Sequence, residues 1–376
     1  MHVVLFFTFD YSLKLWDDTG ILSREKLYFD EMLKENKNLE FTLVTYGDET
    51  DLNYFKNNSR INVYPLYIKN KYFKSKFIRF SKSLVYPFKL KKELRNISLI
   101  KQFQLNGAWV SILFKFLTKK PLIIRTGYDM YEFSIRENKK FYKILMFKYL
   151  TSIALKYSDL YTVASRSDKN FLMKNFKINN KNIELRPNWI IENNKIPVLN
   201  RSRKNVLAVG RLEAQKNFED LIKAFGNSSF KLDIYGAGSL KDDLKELAKL
   251  ENTDVNFKGV VSYKELQKIY NDYVFFISTS LYEGNPKTIL EAQSSGCLVL
   301  VLEEKNTSEI IDNGKTGIIL NSREEIQESL KILSKDDKKI QYISSNAHKE
   351  AVKIYGLKNN VKIDIEDFYS LIKKTL

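Results

Sequence analysis

Two glutamates, Glu283 and Glu291, stand eight positions apart in LYEGNPKTILEAQSSGC (281–297), around a Gly284-Asn285-Pro286 turn that follows the apolar run VFFISTS. Asn285 is suited to cap a helix whose first position is Pro286. Such a start offers free backbone N–H groups and the positive end of a helix dipole, which favour an anion. Glu283 precedes the turn, where it would accept hydrogen bonds from a neutral, hydroxyl-rich group. Glu291 lies about one and a half turns into the helix, beside Ile289, Leu290 and Ala292, so it borders buried surface. Taken singly, they read as a turn acid and a solvated helix glutamate. Flanking an anion-ready helix start, they suit a nucleotide sugar: one carboxylate for sugar hydroxyls, one for the ribose diol, the pyrophosphate between.

VGRLEAQKN (209–217) leaves a strand through Gly210 and brings Arg211 and Lys216 to one loop. A guanidinium fork beside a mobile ammonium fits a pyrophosphate, although a solvated basic loop would look the same. IYGAGS places Gly236 and Gly238 in a G-x-G turn that lacks the third glycine of a dinucleotide fingerprint.

The elements that must carry these residues alternate. HVVLFFTF (2–9), LEFTLVTYG (39–47), LIIRTG (122–127) and SDLYTVAS (158–165) read as buried strands, with an amphipathic helix around SREKLYFDEMLKEN. After a polar, Asn-rich stretch, RPNWIIENNKIPVLNRSRKN, taken as a linker, the pattern restarts. KNVLAVG, FKLDIYG, VNFKGVV, VFFISTS and LVLVL are strands separated by helical segments. Strand–helix alternation twice over predicts an α/β chain of two doubly wound Rossmann-like domains facing each other across a cleft. The expected boundaries are 1–195, 196–355, and a C-terminal helix over 356–376 packing back on the first domain. Ligands are then expected in the loops after strands.

Composition agrees with two domains. The chain has 376 residues, 44% hydrophobic and 28% charged, enough for two cores. Its single cysteine, Cys297, excludes an internal disulfide and points to a reducing compartment. MHVVLFFTFD has no basic flank and too short an apolar run for a signal peptide or a span. The net charge of +17 is uneven: residues 1–200 hold 35 Lys+Arg against 19 Asp+Glu, the remainder 27 against 26. Ten of those cations fall between 68 and 95 against the single acid Glu93, interleaved with Tyr72, Phe73, Phe77, Phe80, Tyr86 and Phe88. Phe73, Phe77 and Phe80 fall at helical spacing, as one apolar edge bordered by cations. The plain reading of those rings is a core-facing stripe. The charge goes beyond what solubility needs, so the expectation is a cytoplasmic chain held peripherally at the inner face of the membrane by an anionic surface.

The C-terminal half resembles the family-4 retaining glycosyltransferases of GT-B fold. Their E-x(7)-E element stands here as EGNPKTILEA, their G-R-x-x-x-x-K loop as GRLEAQKN, their YGxG turn as IYGAGS, and a further segment as EIIDNGKTG (309–317). The resemblance implies a GT-B enzyme that moves a hexose-type sugar from a nucleotide sugar to a glycan or lipid-linked acceptor. It implies that Arg211 and Lys216 hold the donor diphosphate, Glu283 the transferred sugar and Glu291 the ribose. Gly210, Gly236, Gly238, Gly284, Asn285, Pro286, Lys287 and Thr288 would complete the donor site. No metal and no cofactor is implied, in keeping with the lack of a His/Cys/carboxylate cluster in the sequence.

The first half matches less closely. In LKLWDDTGILSREK, Trp16, Asp17, Thr19, Gly20 and Arg24 read as acceptor-side or phosphate-side contacts, or equally as a capped helix start with Arg24 solvated. Many relatives carry a histidine after the strand that is PLIIRTGYDMY here. This chain has only His2 and His348, so Arg125, Thr126, Gly127 and Tyr128 fill the region. ELRPNWI is similar to the family's I-P-N-G turn, with Asn188 expected to be structural. A different class, a basic nucleic-acid- or membrane-binding non-catalytic relative of the fold, draws on the basic, aromatic-rich first half. No nucleic-acid motif supports it, no nucleic acid is expected as a partner, and the intact Arg211, Lys216, Glu283 and Glu291 argue against a non-catalytic chain.

Overall fold

The computed structural model describes residues 1–176, 182–192, 197–304 and 306–375. It divides into two compact units, Met1–Pro187 with Asn360–Leu376, and Asn188–Asn359. Residues 193–196 of the stretch read as a linker lie outside the described residues, and its last four residues already belong to a strand.

The first unit is built on seven parallel strands: β1 (His2–Phe6), β2 (Glu40–Thr45), β3 (Ile61–Pro65), β4 (Leu99–Phe103), β5 (Leu122–Arg125), β6 (Leu160–Val163) and β7 (Ile183–Leu185). They lie in the order β3-β2-β1-β4-β5-β6-β7. The near-continuous apolar runs of β1 and β2 are what a sheet covered on both faces requires. On one face Phe6, Ile100 and Ile124 pack with Tyr86, Leu90, Phe114, Ala154 and Leu172 from the helices. The C-terminal helix Leu357–Thr375 belongs to this unit from Asn360 on. It is fixed there by Arg186, whose guanidinium donates two 2.7 Å bonds to Asp367, and by Asp364. The Asp364 carboxylate accepts from Tyr28 and, at 2.9 Å, from Lys101 of β4.

The second unit has six parallel strands: β8 (Ser202–Val209), β9 (Lys231–Tyr235), β10 (Val255–Gly259), β11 (Tyr273–Ser278), β12 (Leu298–Leu302) and β13 (Ile318–Leu320). Their order is β10-β9-β8-β11-β12-β13, so strand order reverses between β8 and β11. A reversal of this kind opens a crevice beyond the carboxyl ends of the two strands. Just before β12, Cys297 is fully buried with its thiol toward the Tyr270 carbonyl at 3.2 Å. Burial, offset in part by Arg201, pushes that thiol up to about 12.

Both units are α/β with doubly wound, Rossmann-like parallel sheets, as the alternation predicted. Among the described residues, no helix is long and apolar enough to cross a membrane.

Candidate donor site in the second unit

The loops that leave β8 and β11 at the strand-order reversal are bonded to each other. Leu281 N–H donates to the Gln215 carbonyl and Gln215 Nε2 to the Tyr282 carbonyl, both at 2.9 Å. Thr279 Oγ1 donates to the Asn217 carbonyl at 2.9 Å. These bonds set Lys216 against Glu283, and the two form an ion pair. Both are largely buried, with side chains 15% and 9% exposed. A carboxylate so enclosed is stable only with a partner, which Lys216 provides. Arg211 is exposed at the mouth of the same loop, its guanidinium 3.3 Å from Gln215 Oε1.

The glycines of the neighbouring turn leave room for close backbone packing. A Cβ on Gly236 would fall 1.8 Å from the Gly210 carbonyl oxygen, and one on Gly238 2.3 Å from that of Leu212. Gly236 also has φ +148, which side-chain-bearing residues rarely adopt. Their bareness lets the β9 turn press against the β8 loop, where Leu212 N–H donates to the Ala237 carbonyl at 2.9 Å.

The Glu283 side of the site departs from expectation in one respect. Asn285 does not cap the helix; the helix runs Lys287–Ser294 and Pro286 occupies the cap position without a side-chain bond. The Asn285 side chain is instead taken by Asn188, whose N–H donates to Oδ1 at 2.8 Å and whose Nδ2 donates to the Asn285 carbonyl at 2.7 Å. Asn188 is structural, as expected. Gly284 and Asn285 are buried, and Lys287 and Thr288 are half-buried in the first helical turn. Glu291 is 3% exposed, not a solvated helix acid, and accepts from the buried Tyr270 hydroxyl at 3.2 Å. Burial first, and then the Glu291 charge, hold the Tyr270 phenol well above its ordinary range.

Sequence reasoning missed Asn306. Its buried Nδ2 donates to the carbonyls of Glu283 and Gly284, pinning the turn that aims the Glu283 carboxylate. The EIIDNGKTG segment supports the same helix from the far side: Gln293 Nε2 donates to the Thr316 carbonyl at 3.1 Å.

In the first unit the candidate residues separate. Trp16 is 1% exposed and stacked on Phe7 at 4.1 Å, so it is core and offers no face to an acceptor. Arg24 is buried and bonded to Glu25 at 3.1 Å, neither solvated nor open to a ligand. Asp17, Thr19 and Gly20 do lie exposed, at the corner between helices Leu13–Asp18 and Ile21–Glu35. Arg125 ends β5 with Nη2 3.4 Å from the Pro187 carbonyl, and Tyr128 is exposed beside Phe133. Next to Tyr128, Asp129 is buried, caps helix Met130–Arg136 through Glu132 N–H at 2.7 Å, and is pushed up to about 6 by that burial.

The 68–95 segment also differs from its periodicity. Helix Lys76–Ser83 starts after Phe73, so the three phenylalanines do not share one helical edge. Phe77 and Phe80 are exposed, not core-facing. Arg79 is no surface cation: it forks onto Asp10 with two 2.8 Å bonds and donates to the carbonyls of Phe73 and Lys74.

Residues 190–350 match the family model described as glycosyl transferases group 1. Among curated proteins, the chain is 26% identical over 272 residues to N-acetylgalactosamine-N,N'-diacetylbacillosaminyl-diphospho-undecaprenol 4-alpha-N-acetylgalactosaminyltransferase of Campylobacter jejuni, covering 69% of this chain and 74% of that one. It is 25% identical over 274 residues to UDP-Gal:alpha-D-GlcNAc-diphosphoundecaprenol alpha-1,3-galactosyltransferase of Escherichia coli, covering 66% and 69%. Among solved structures, sucrose-phosphate synthase of Thermosynechococcus elongatus superposes with a TM-score of 0.79 at 14% identity, over the whole of both chains. Anabaena HepE in complex with UDP and glucose superposes with a TM-score of 0.75 at 16% identity, over 98% of this chain and 100% of that one. The fold is therefore GT-B, and residues 190–350 are similar to the group 1 glycosyl transferases.

Proposed function

We propose that this chain is a retaining, nucleotide-sugar-dependent glycosyltransferase acting on a glycan or lipid-linked acceptor in surface polysaccharide or glycolipid assembly. The observation that carries the reading is the Lys216–Glu283 pair beside Arg211 at the strand-order reversal of a unit similar to the group 1 glycosyl transferases. The relatives support the acceptor class, since the Campylobacter and Escherichia proteins are named for diphospho-undecaprenol substrates. Anabaena HepE, solved with UDP, supports a nucleoside diphosphate as the donor's leaving group.

Arg211 and Lys216 take the donor diphosphate, the first as a fork and the second as a point charge. Backbone N–H groups at the start of helix Lys287–Ser294 add to that field. Glu283 faces the transferred sugar and Glu291 the ribose. The anomeric C–O bond to the diphosphate breaks while the acceptor hydroxyl oxygen bonds to the same carbon from the same face. The acceptor's proton passes to a leaving phosphate oxygen, so no enzyme nucleophile is needed. Stabilisation of charge growing on that leaving group is the protein's main contribution. These cations belong to the chain, and the reaction needs no metal.

The first unit takes the acceptor and rests on an anionic membrane surface through the 68–95 segment. The test is release of nucleoside diphosphate from a panel of radiolabelled nucleotide sugars, with and without lipid-linked acceptor, in EDTA. Acceptor-dependent release with retained anomeric configuration is expected. Release that is lost in EDTA and restored by a divalent ion would reject the metal-free mechanism, and no turnover of any donor would reject the enzyme.

A further inference from the structure

The first unit has an open pocket of about 260 Å³ lined by four lysines from one loop and two helices. Lys69 and Lys71 come from the loop after β3, Lys82 from helix Lys76–Ser83 and Lys89 from helix Tyr86–Glu93. No carboxylate lines it. Glu93, the acid of this segment, stands outside and is occupied by Lys69 Nζ at 2.5 Å and the Tyr64 hydroxyl at 2.7 Å. The Glu93 charge also reaches Lys89, whose direct bond is to a neutral group. Lys89 Nζ is steered by Asn70 Oδ1 at 2.6 Å, Lys71 lies 5.9 Å from the Phe73 ring centre, and Lys82 is exposed.

We propose that this pocket is a second anion site, which binds a phosphate- or diphosphate-bearing group. A solvated basic face spreads its charges along one surface. Here four lysines line one volume, where an anion would relieve their mutual repulsion. Ammonium groups with three donors each, arriving from several directions, suit the many acceptor oxygens of a phosphate or diphosphate. The pocket's own wall includes Phe73 and Val85, and Phe77 and Phe88 stand exposed on the same two helices. Apolar side chains bordering a cation cluster fit a headgroup joined to a hydrocarbon chain. That the phosphate is the one linking an acceptor sugar to its lipid rests on the function proposed above; that the pocket takes phosphate does not.

The experiment uses the full chain with the donor-side charges removed (Arg211→Gln, Lys216→Gln, Glu283→Gln), so that anion binding reports on the first unit. Inorganic pyrophosphate is titrated calorimetrically, and flotation is measured with phosphatidylcholine vesicles with and without phosphatidylglycerol. Two further triples are compared in that background, Lys71→Gln/Lys82→Gln/Lys89→Gln in the pocket and Lys331→Gln/Lys338→Gln/Lys339→Gln on the second unit. All six lysines are exposed, and unchanged melting confirms the fold. The pocket triple should weaken pyrophosphate roughly tenfold or more, the equivalent of losing one charge-assisted bond, and the control triple should not. Flotation that needs phosphatidylglycerol and is lost only in the pocket triple, without pyrophosphate binding, assigns the site to a lipid headgroup. Equal loss in both triples reduces the effect to bulk charge and overturns the proposal. So does pyrophosphate binding that the pocket triple leaves intact, or no binding of either probe. Nucleoside diphosphate binding by the unaltered chain tests the donor site separately.

Discussion

The Glu283 carboxylate is stable in its enclosed position because Lys216 stands against it, which makes the two residues separable only together. Lys216→Gln alone leaves a buried carboxylate without its cation and should cost up to about 3 kcal/mol of stability. Glu283→Gln alone should retain nucleoside diphosphate binding, since Lys216 remains, while turnover falls. The double variant should be more stable than the Lys216 single variant and bind the diphosphate weakly. Chemical denaturation and titration with nucleoside diphosphates read these outcomes, and additive stability losses would contradict the coupling. Asp129 offers a pH test. Its folded-state pKa of about 6 lies above the ordinary aspartate value, so the folded chain holds a proton that the unfolded chain releases between roughly pH 4 and 6. Stability is thus lost as pH rises through that window. Asp129→Asn, which still caps the helix, should raise stability by about 3 kcal/mol at neutral pH and by almost nothing near pH 3. Glu283 and Lys216 stood out singly because charged residues at fixed spacing from glycine and proline carry a signature, but their pairing with each other did not. Asn306 and Thr279 were not legible, because each works through a backbone carbonyl of a distant loop, and no local spacing records that.

At the scale of elements, the β8 loop and the β9 turn fit together through two glycines with different tolerance. Gly236→Ala sets a Cβ into the Gly210 carbonyl at a disfavoured φ, and should cost several kcal/mol (on the order of 3–4) because backbone must move. Gly210→Ala meets Lys216 Cγ at 3.3 Å, a flexible side chain that yields. It should melt near wild type but weaken the diphosphate, by turning Lys216 aside. Wild-type melting of Gly236→Ala would contradict the packing argument. Strands were readable wherever apolar runs alternated with helical periodicity. Helix Phe141–Tyr157 was not, because it is apolar all round: it buries Thr151, Ala154 and Leu155 yet exposes Phe141, Tyr142, Met146 and Tyr149. Periodicity distinguishes faces only when one of them is polar. The helix around Phe77 was misjudged for a related reason, since spacing alone ran it back to Phe73 and the chain starts it at Lys76.

For the whole molecule, the last helix ties residues from Asn360 onward to a unit that begins at Met1. Burial alone would raise the Asp364 carboxyl, but Lys101, Arg125 and the Tyr28 hydroxyl outweigh it and hold the group below the ordinary carboxylate range. A depressed pKa contributes stability above the unfolded-state value and loses it as pH falls toward the folded one. The helix should therefore loosen only under strong acid. Asp364→Asn should loosen it at neutral pH, leaving Lys101 buried without a carboxylate at a cost of about 3–5 kcal/mol. Hydrogen exchange over residues 357–375 is the measurement, and unchanged protection in Asp364→Asn would refute the tether. The charge imbalance and the return of the last helix to the first domain were both readable, whereas the Lys101–Asp364 bond that fixes it joins residues 263 positions apart, and no local spacing records it.

Cys297 gives the second unit a silent timer. The thiol is fully buried and its pKa is pushed up to about 12, so the folded chain presents no thiolate to an electrophile. An aromatic disulfide reagent in excess would colour only molecules whose sheet has come apart around β12, and the rate of colour would count those openings. Any compound that binds between the β8 and β11 loops must slow that count, whether or not it is ever turned over. A library of nucleotides could then be ranked by absorbance alone, before a sugar or an acceptor is in hand.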